Sequence, residues 1–319
     1  MVSAAKKPSS SSIQSLRYVS SLARMLGTSE TDLTTIACDT AAYWKRGKRF
    51  KKASGEYRIT SDAKGPLKAI HEQINQKFLK QVYYPHYILA GIRDPLNPRD
   101  YVAHAQCHTG KTLLICEDIA GFFPSTTEEV IHSIWRHFFP FHADVAEILT
   151  KLTTYDGCLP QGWKCSSYLA NLVFWRTEAS LVDQLAARGF AYSRFMDDIA
   201  VSKRGRYSRQ DKHFAVSSIY RLLFQQGYRP KRPKHFIGDQ STRMELTGLI
   251  VNGSQPSLPK EKRNLLRSLV HKIESFPVER RNSEEFTSLW SHTSGKIGEL
   301  AKFDRRTAKQ LRDRINLAR

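Results

Sequence analysis

The chain has 319 residues with a formal net charge of +20, enough length for a large core in one to three lobes. Its mean hydropathy of −0.46 and the lack of any run near the ~18–20 apolar residues of a membrane span exclude an integral membrane class. The charge exceeds the magnitude of about 2–8 that solubility asks of a small domain, and points to nucleic acid, ahead of a lipid surface, as the polyanionic partner.

The Ser/Lys-rich opening, Met1 to Ser12, has no apolar signal core and argues against secretion. The five cysteines, Cys38, Cys107, Cys116, Cys158 and Cys165, are odd in number and lack metal spacing. They read as free thiols in a reducing cytoplasm. Leu16, Val19, Leu22 and Leu26, then Leu33, Ile36 and Ala37, predict two short helices within residues 13–45. Residues 44–52 surround Trp44 and Phe50 with Lys and Arg. Such a run fits a solvated loop, and its aromatics suit phosphate contact with base stacking. Gly65-Pro66 opens a helix over 66–81 with His71, Gln73, Lys77 and Lys80 on its polar face. A loop over 93–103 follows. His104 and His108 stand four apart, the spacing of two ligands on a helix face, without an intervening Glu or an evident third ligand.

Lys111 to Ile119 reads as a buried strand ending at Asp118. Thr126-x-x-Glu129 has the spacing of a capping box, opening a helix with Val130, Ile131, Ile134 and Phe138 inward until Pro140. Another helix falls near 142–153. Pro160-Gln161-Gly162 marks a loop, after which Ser166 or Ser167 caps an apolar helix through Val173, Phe174, Ala179, Leu181 and Leu185 to Gly189. Tyr192 to Ser202 reads as a hairpin whose tip carries Asp197 and Asp198. Ser208 to Gln226 is an amphipathic helix closed by Gly227, and basic and apolar residues then alternate from Lys260 to Arg314. No internal repeat is visible.

Adjacent carboxylates repel unless a cation shares them. Turn chemistry explains an Asp cheaply, but two separate acidic elements are what a two-metal site requires, with ions roughly 3.5–4 Å apart. Asp118 and Asp197 meet that need if their strands are neighbours in one antiparallel sheet.

The strand ending at Asp118, the Gln161-Gly162 loop and helix, and the Asp197-Asp198 hairpin resemble motifs A, B and C of a reverse transcriptase palm, in order. Glu56-Tyr57-Arg58-Ile59-Thr60 and Gly65-Pro66-Leu67-Lys68-Ala69-Ile70 resemble the basic fingers of bacterial reverse transcriptases. Gly227 to Lys234 resembles motif D, and Met244 to Leu249 motif E. Among bacterial families the retron reverse transcriptases fit best, with His104-Ala105-Gln106-Cys107-His108 and Leu246-Thr247-Gly248 where they carry Asn-Ala-x-x-His and Val-Thr-Gly. The chain departs from their pattern with Phe195-Met196 for Tyr-Ala before the paired acids, His104 for Asn, and Ser166-Ser167 for Ser-Pro. The three acids are intact. A related defence-associated reverse transcriptase is the neighbouring assignment.

The resemblance implies an α+β right-hand polymerase: an N-terminal helical extension over 1–45, fingers over 46–110, an antiparallel-sheet palm over 111–252 with fingers elements at 125–158, and a short helical thumb over 253–319. It implies Asp118, Asp197 and Asp198 as catalytic residues, and Asp118, Ile119, Asp197 and Asp198 as ligands of two Mg²⁺ ions, with Mn²⁺ a possible substitute. Arg58, Lys68, Phe122, Phe123, Gln161, Gly162 and Lys234 would meet the incoming nucleotide, Phe123 as steric gate and Lys234 as proton donor to pyrophosphate. Lys64 is an alternative triphosphate contact, and Phe122 is the better core candidate of the two phenylalanines. His104, His108, Thr247 and Gly248 would meet RNA, a structural hydrogen bond being the other reading of the two histidines. The implied activity is RNA-directed DNA synthesis from dNTPs on a dedicated non-coding RNA, in antiphage defence with an effector protein. An oligomer is possible and no membrane is expected. Synthesis of repetitive or untemplated DNA, and a non-catalytic RNA-binding scaffold, are the alternatives.

Overall fold

Leu22 and Leu26 on Val19–Leu26 (α1) and Leu33 and Ile36 on Glu30–Cys38 (α2) are buried, so the two expected N-terminal helices form with their apolar stripes inward. Ser29 caps α2 by accepting the Asp32 amide at 3.0 Å. The computed structural model describes residues 4–51 and 57–318, leaving the side chains of 46, 48–51 and 57–59 outside that description.

The basic run is a strand rather than a loop. Trp44–Lys51 (β1) pairs antiparallel with Tyr57–Ala63 (β2). Trp44 stacks on Tyr155 with ring centroids 5.1 Å apart, so its ring is taken by the protein and not offered to a base. The Phe50 side chain lies outside the described residues.

Gly65–Lys77 (α3) carries proline in its first turn, as expected. Tyr101–Gln106 (α4) occupies the end of the expected loop. Leu113–Asp118 (β3) is buried and stops at the acid. The next helix begins one residue later than the capping-box spacing indicates. Thr127 is the N-cap of Glu128–Ser133 (α5), because the Thr126 hydroxyl donates to the Phe122 carbonyl at 2.8 Å and meets the Tyr228 hydroxyl at 2.9 Å. A π-helical turn over Ile134–Phe138 replaces the rest of that helix.

Ala143–Thr153 (α6) follows, and His71 turns inward towards it. Its Nε2 lies 2.7 Å from the Leu152 carbonyl, and burial pushes its pKa down to about 4. It therefore leaves the polar face assigned to it. The apolar helix expected from 166 to 189 is two helices, Ser166–Leu172 (α7) and Glu178–Ala186 (α8), broken by turns.

Phe190–Phe195 (β4) and Asp198–Lys203 (β5) form the expected hairpin. Arg209–Gln225 (α9) opens with a complete capping box between Ser208 and Asp211. With Phe236–Asp239 (β6), the strands form one sheet in the order β4-β5-β3-β6. The Ile119 amide meets the Asp197 carbonyl at 3.0 Å, while the Thr112 amide meets that of Lys203 at 2.9 Å. β3 and β5 are thus antiparallel neighbours, the condition the acids required.

The chain divides into two compact units, Met1–Asp100 with Ile115–Val201 and Tyr207–Phe236, and Tyr101–Leu114 with Ser202–Arg206 and Ile237–Arg319. The second begins its C-terminal run at Ile237, well before the thumb boundary at 253. It contains the hairpin Glu245–Leu246 (β7) and Leu249–Ile250 (β8), and the helices Lys260–Glu274 (α10), Glu284–Leu300 (α11) and Arg305–Leu317 (α12). Leu266, Val270, Ile273, Phe286, Ile297 and Leu311 fill the core of these three helices. No helix among the described residues is long and apolar enough to cross a membrane.

Candidate active site

Strand ends and a strained turn assemble the acids. Asp118 ends β3 with 3% of its surface exposed. Met196 precedes the paired acids with φ of 60°, a left-handed backbone that costs a non-glycine residue of order 1 kcal/mol or more. Three contacts hold that turn: Arg194 donates to the Met196 carbonyl at 3.2 Å, Ile119 donates to the Asp197 carbonyl, and the Met196 side chain lies close to Gly91.

Lys234 joins the acids. Its ammonium pairs with Asp118 Oδ2 and stands 3.7 Å from Asp198 Oδ1. Partial burial works against its charge, but Asp118, Asp198 and Asp197 raise its pKa above the usual range. Burial and then the neighbouring Asp197 push the Asp198 carboxyl up to about 7, against the opposing effect of Lys234. Three carboxyl groups facing one ammonium leave a surplus of negative charge, which suits a divalent cation. Among the described residues no three acidic, imidazole or thiol side chains already form a cage around a metal position. The site holds an ammonium between two of its acids instead.

Residues 229–234 reach this place because they run beside β3. The Lys231 amide donates to the Asp118 carbonyl at 2.6 Å and the Ala120 amide to that of Arg229 at 2.8 Å. Glu117, on the neighbouring position of β3, accepts from His235 at 2.6 Å and from Tyr220 at 3.5 Å. Arg232 covers the Tyr220 ring at 5.1 Å. Burial raises the Glu117 pKa, and His235 opposes that shift. Sequence reading passed over Glu117 and His235, although an acid and a histidine each next to an assigned residue were the available signal.

A second buried network was also missed. Arg194, fully buried, pairs through Nε with Glu178 Oε1 at 2.6 Å and through a terminal nitrogen with Oε2 at 2.9 Å. Tyr192 donates to the same Glu178 at 2.7 Å, and Asn171 accepts from Arg194 and donates to the Ala90 carbonyl.

The remaining assigned residues separate. Phe122 packs with Phe174 and Tyr228 at 6.4 and 5.5 Å, which places its ring in the core. Phe123 meets it edge to face at 5.8 Å and keeps 8% exposure. Lys68 and Lys64 are exposed, and the Arg58 side chain lies outside the described residues. The Gln161 carbonyl accepts from the Ser61 amide at 2.8 Å and from its hydroxyl at 3.2 Å, docking the loop on β2. Gly162 has φ of 105°, and a Cβ there would stand 2.5 Å from the Ser61 carbonyl oxygen. Gly162→Ala is therefore expected to cost about 1–3 kcal/mol of stability, read by thermal melting.

His104 and His108 are buried, their rings 5.8 Å apart, and His108 Nδ1 lies 2.7 Å from the Ser202 hydroxyl. Burial lowers the His104 pKa to about 3 and the His108 pKa well below its usual value. Both rings are buried, which favours the structural reading of the pair. Thr247 and Gly248, with φ of 48° and 82°, form the two-residue turn between β7 and β8. Thr247 donates to the Tyr101 carbonyl at 3.1 Å and Lys262 donates to that of Gly248 at 3.0 Å.

A family model described as reverse transcriptase (RNA-dependent DNA polymerase) matches residues 50–248. The retron Se72 reverse transcriptase of Salmonella heidelberg (strain 579083-10) is 32% identical over 295 residues, covering 92% of this chain and 77% of that protein. The retron Ec48 reverse transcriptase of Escherichia coli is 25% identical over 306 residues, covering 93% and 74%. Among solved structures, an elongation-state BmCPV RNA-dependent RNA polymerase aligns with 91% of this chain and 30% of its own, at 13% identity and a TM-score of 0.44.

Proposed function

The chain belongs to the reverse transcriptase family, as a bacterial retron-type member, and we propose that it copies a dedicated non-coding RNA into DNA with Mg²⁺ as its metal. Its activity is RNA-directed DNA polymerisation. The observation that carries the site is the convergence of Asp118 and Asp198 on one ammonium at the meeting of β3 with the β4–β5 turn. A place that already holds a cation between acids from two strands is suited to divalent ions.

Asp118, Asp197 and Asp198, with the backbone carbonyl of Ile119, would hold the ions, and Mn²⁺ fits the same oxygen donors. Bound Mg²⁺ supplies charge neutralisation at the triphosphate and activation of the primer 3′-hydroxyl. Lys234, once released from the carboxylates, would give a proton to the departing pyrophosphate. Lys68, with Lys64 and Arg58 beside it in sequence, would attract the triphosphate. Phe123 would lie under the sugar and disfavour a 2′-hydroxyl. Gln161 would meet the nucleotide through its side chain, its carbonyl being engaged by Ser61. Gly162 serves the docking of that loop. Thr247 and Gly248 would shape the turn that meets the primer strand.

A cytoplasmic place, an effector protein and a role in antiphage defence complete the reading. The test is incorporation by the full chain with and without its co-purified RNA, followed by sequencing of the product. DNA complementary to that RNA, lost after RNase treatment, is expected. Random or repetitive DNA made without RNA would overturn the templated reading, and no incorporation under any condition would leave only a scaffold.

A further inference from the structure

We propose that the cleft between α8 and α9 is a phosphate site that takes a backbone phosphate of an RNA strand. Its volume is about 400 Å³, and its walls include Arg176, Thr177, Gln184, Ser218, Arg221 and Gln225. None of the assigned catalytic or nucleotide-binding residues lines it.

Its chemistry is that of an anion receptor. Arg176 and Arg221 are exposed, and neither has an ion pair among the described residues. The Arg176 guanidinium stacks 4.8 Å from the Trp175 ring centre, which fixes its plane and leaves its edge for a phosphate. Ser218 is only 4% exposed, yet its hydroxyl has no hydrogen-bond partner, and the Thr177 hydroxyl is buried in the same state. Orphaned buried hydroxyls are rare and call for an unseen partner.

Thr177 is also the N-cap of α8, without a side-chain cap. The Ala179 and Ser180 amides behind it find no acceptor among the described residues, and Ser180 lines the cleft. A helix start with open amides favours an anion. The acid of that first turn, Glu178, is engaged inward by Arg194, and no Asp or Glu lines the cleft.

Phosphate fits this donor set, and the charge of +20 favours a polyanion as its source. Choosing RNA rests on the proposed RNA template; the phosphate chemistry does not. The experiment compares the native chain with R176A/R221A, R176K/R221K and S218A, each first checked for native circular dichroism and melting. Single-stranded RNA binding is measured across a salt series, with inorganic phosphate and an acidic peptide as competing probes. R176A/R221A is expected to bind RNA about tenfold more weakly, with a salt slope shallower by about 1. R176K/R221K should keep the slope but lose affinity several-fold, because lysine lacks the planar fork, and S218A should weaken binding while leaving the slope unchanged. Primer extension at saturating RNA should persist in all three, which separates failure of this site from failure of the polymerase reading. Native-like RNA affinity in R176A/R221A, equivalence of lysine and arginine, or an effect confined to free phosphate or to the peptide would overturn the proposal.

Discussion

Asp197→Asn is expected to lower dNTP incorporation by roughly 10³-fold, about 4 kcal/mol of barrier, while RNA affinity and melting temperature stay near native values. The substitution removes one carboxylate of the proposed metal site and keeps the shape of the side chain. The backbone carbonyl of residue 197, which accepts the Ile119 amide, is untouched by the substitution. Relief of repulsion with Asp198 offsets part of any lost contact. Asp118→Asn should lose activity to the same degree but also some stability, since it gives up its pair with Lys234. Measuring incorporation and thermal unfolding on both variants separates the two carboxylates. Unchanged biological activity in an incorporation-dead Asp197→Asn chain would favour the scaffold reading.

Arg194→Met is expected to be the most destabilising single change near the site. It leaves Glu178 buried without its cation, a loss of about 3–5 kcal/mol. At roughly 2–4 °C per kcal/mol for a protein of this size class, the melting temperature should fall by about 10 °C. Burial opposes the charge of Arg194, and Glu178 more than offsets it, raising its pKa. Arg194→Met with Glu178→Met should recover much of that stability, because a buried ion pair is often replaceable by apolar residues. Incorporation should stay low in the double variant, because the Met196 carbonyl has lost its donor and the acidic turn its brace. Recovery of both stability and incorporation would show that Arg194 serves packing alone.

The acids were legible because chemistry and local pattern agreed there. An alternating apolar stretch must reverse at Asp197-Asp198, and the apolar run of Leu113 to Cys116 gives way to acids at Glu117 and Asp118. Their adjacency followed once both strands were put in one sheet. The elements misread were those where a distant partner overrides local preference. Thr126 has the spacing of a cap, but Tyr228, 102 residues away, takes its hydroxyl. The run after Trp44 reads as a loop until β2 pairs with its backbone, and Trp44 reads as open until Tyr155 covers the indole. The apolar run from Val173 to Leu185 continues through a break that hydrophobic spacing cannot register. Arg194 and Glu178 escaped notice for the same reason. A charged residue reads as surface unless its counter-ion is known, and these two stand 16 positions apart with a helix end between them.

Lys234 gives the molecule a resting state of its own. With its ammonium lodged between the acids of β3 and β5, the chain carries an internal counter-ion at a point of like-charge crowding. Chelation should therefore silence the chain without loosening it. Any cation that takes up these carboxylates would compete with Lys234 for them, so cation affinity and the position of the lysine are linked.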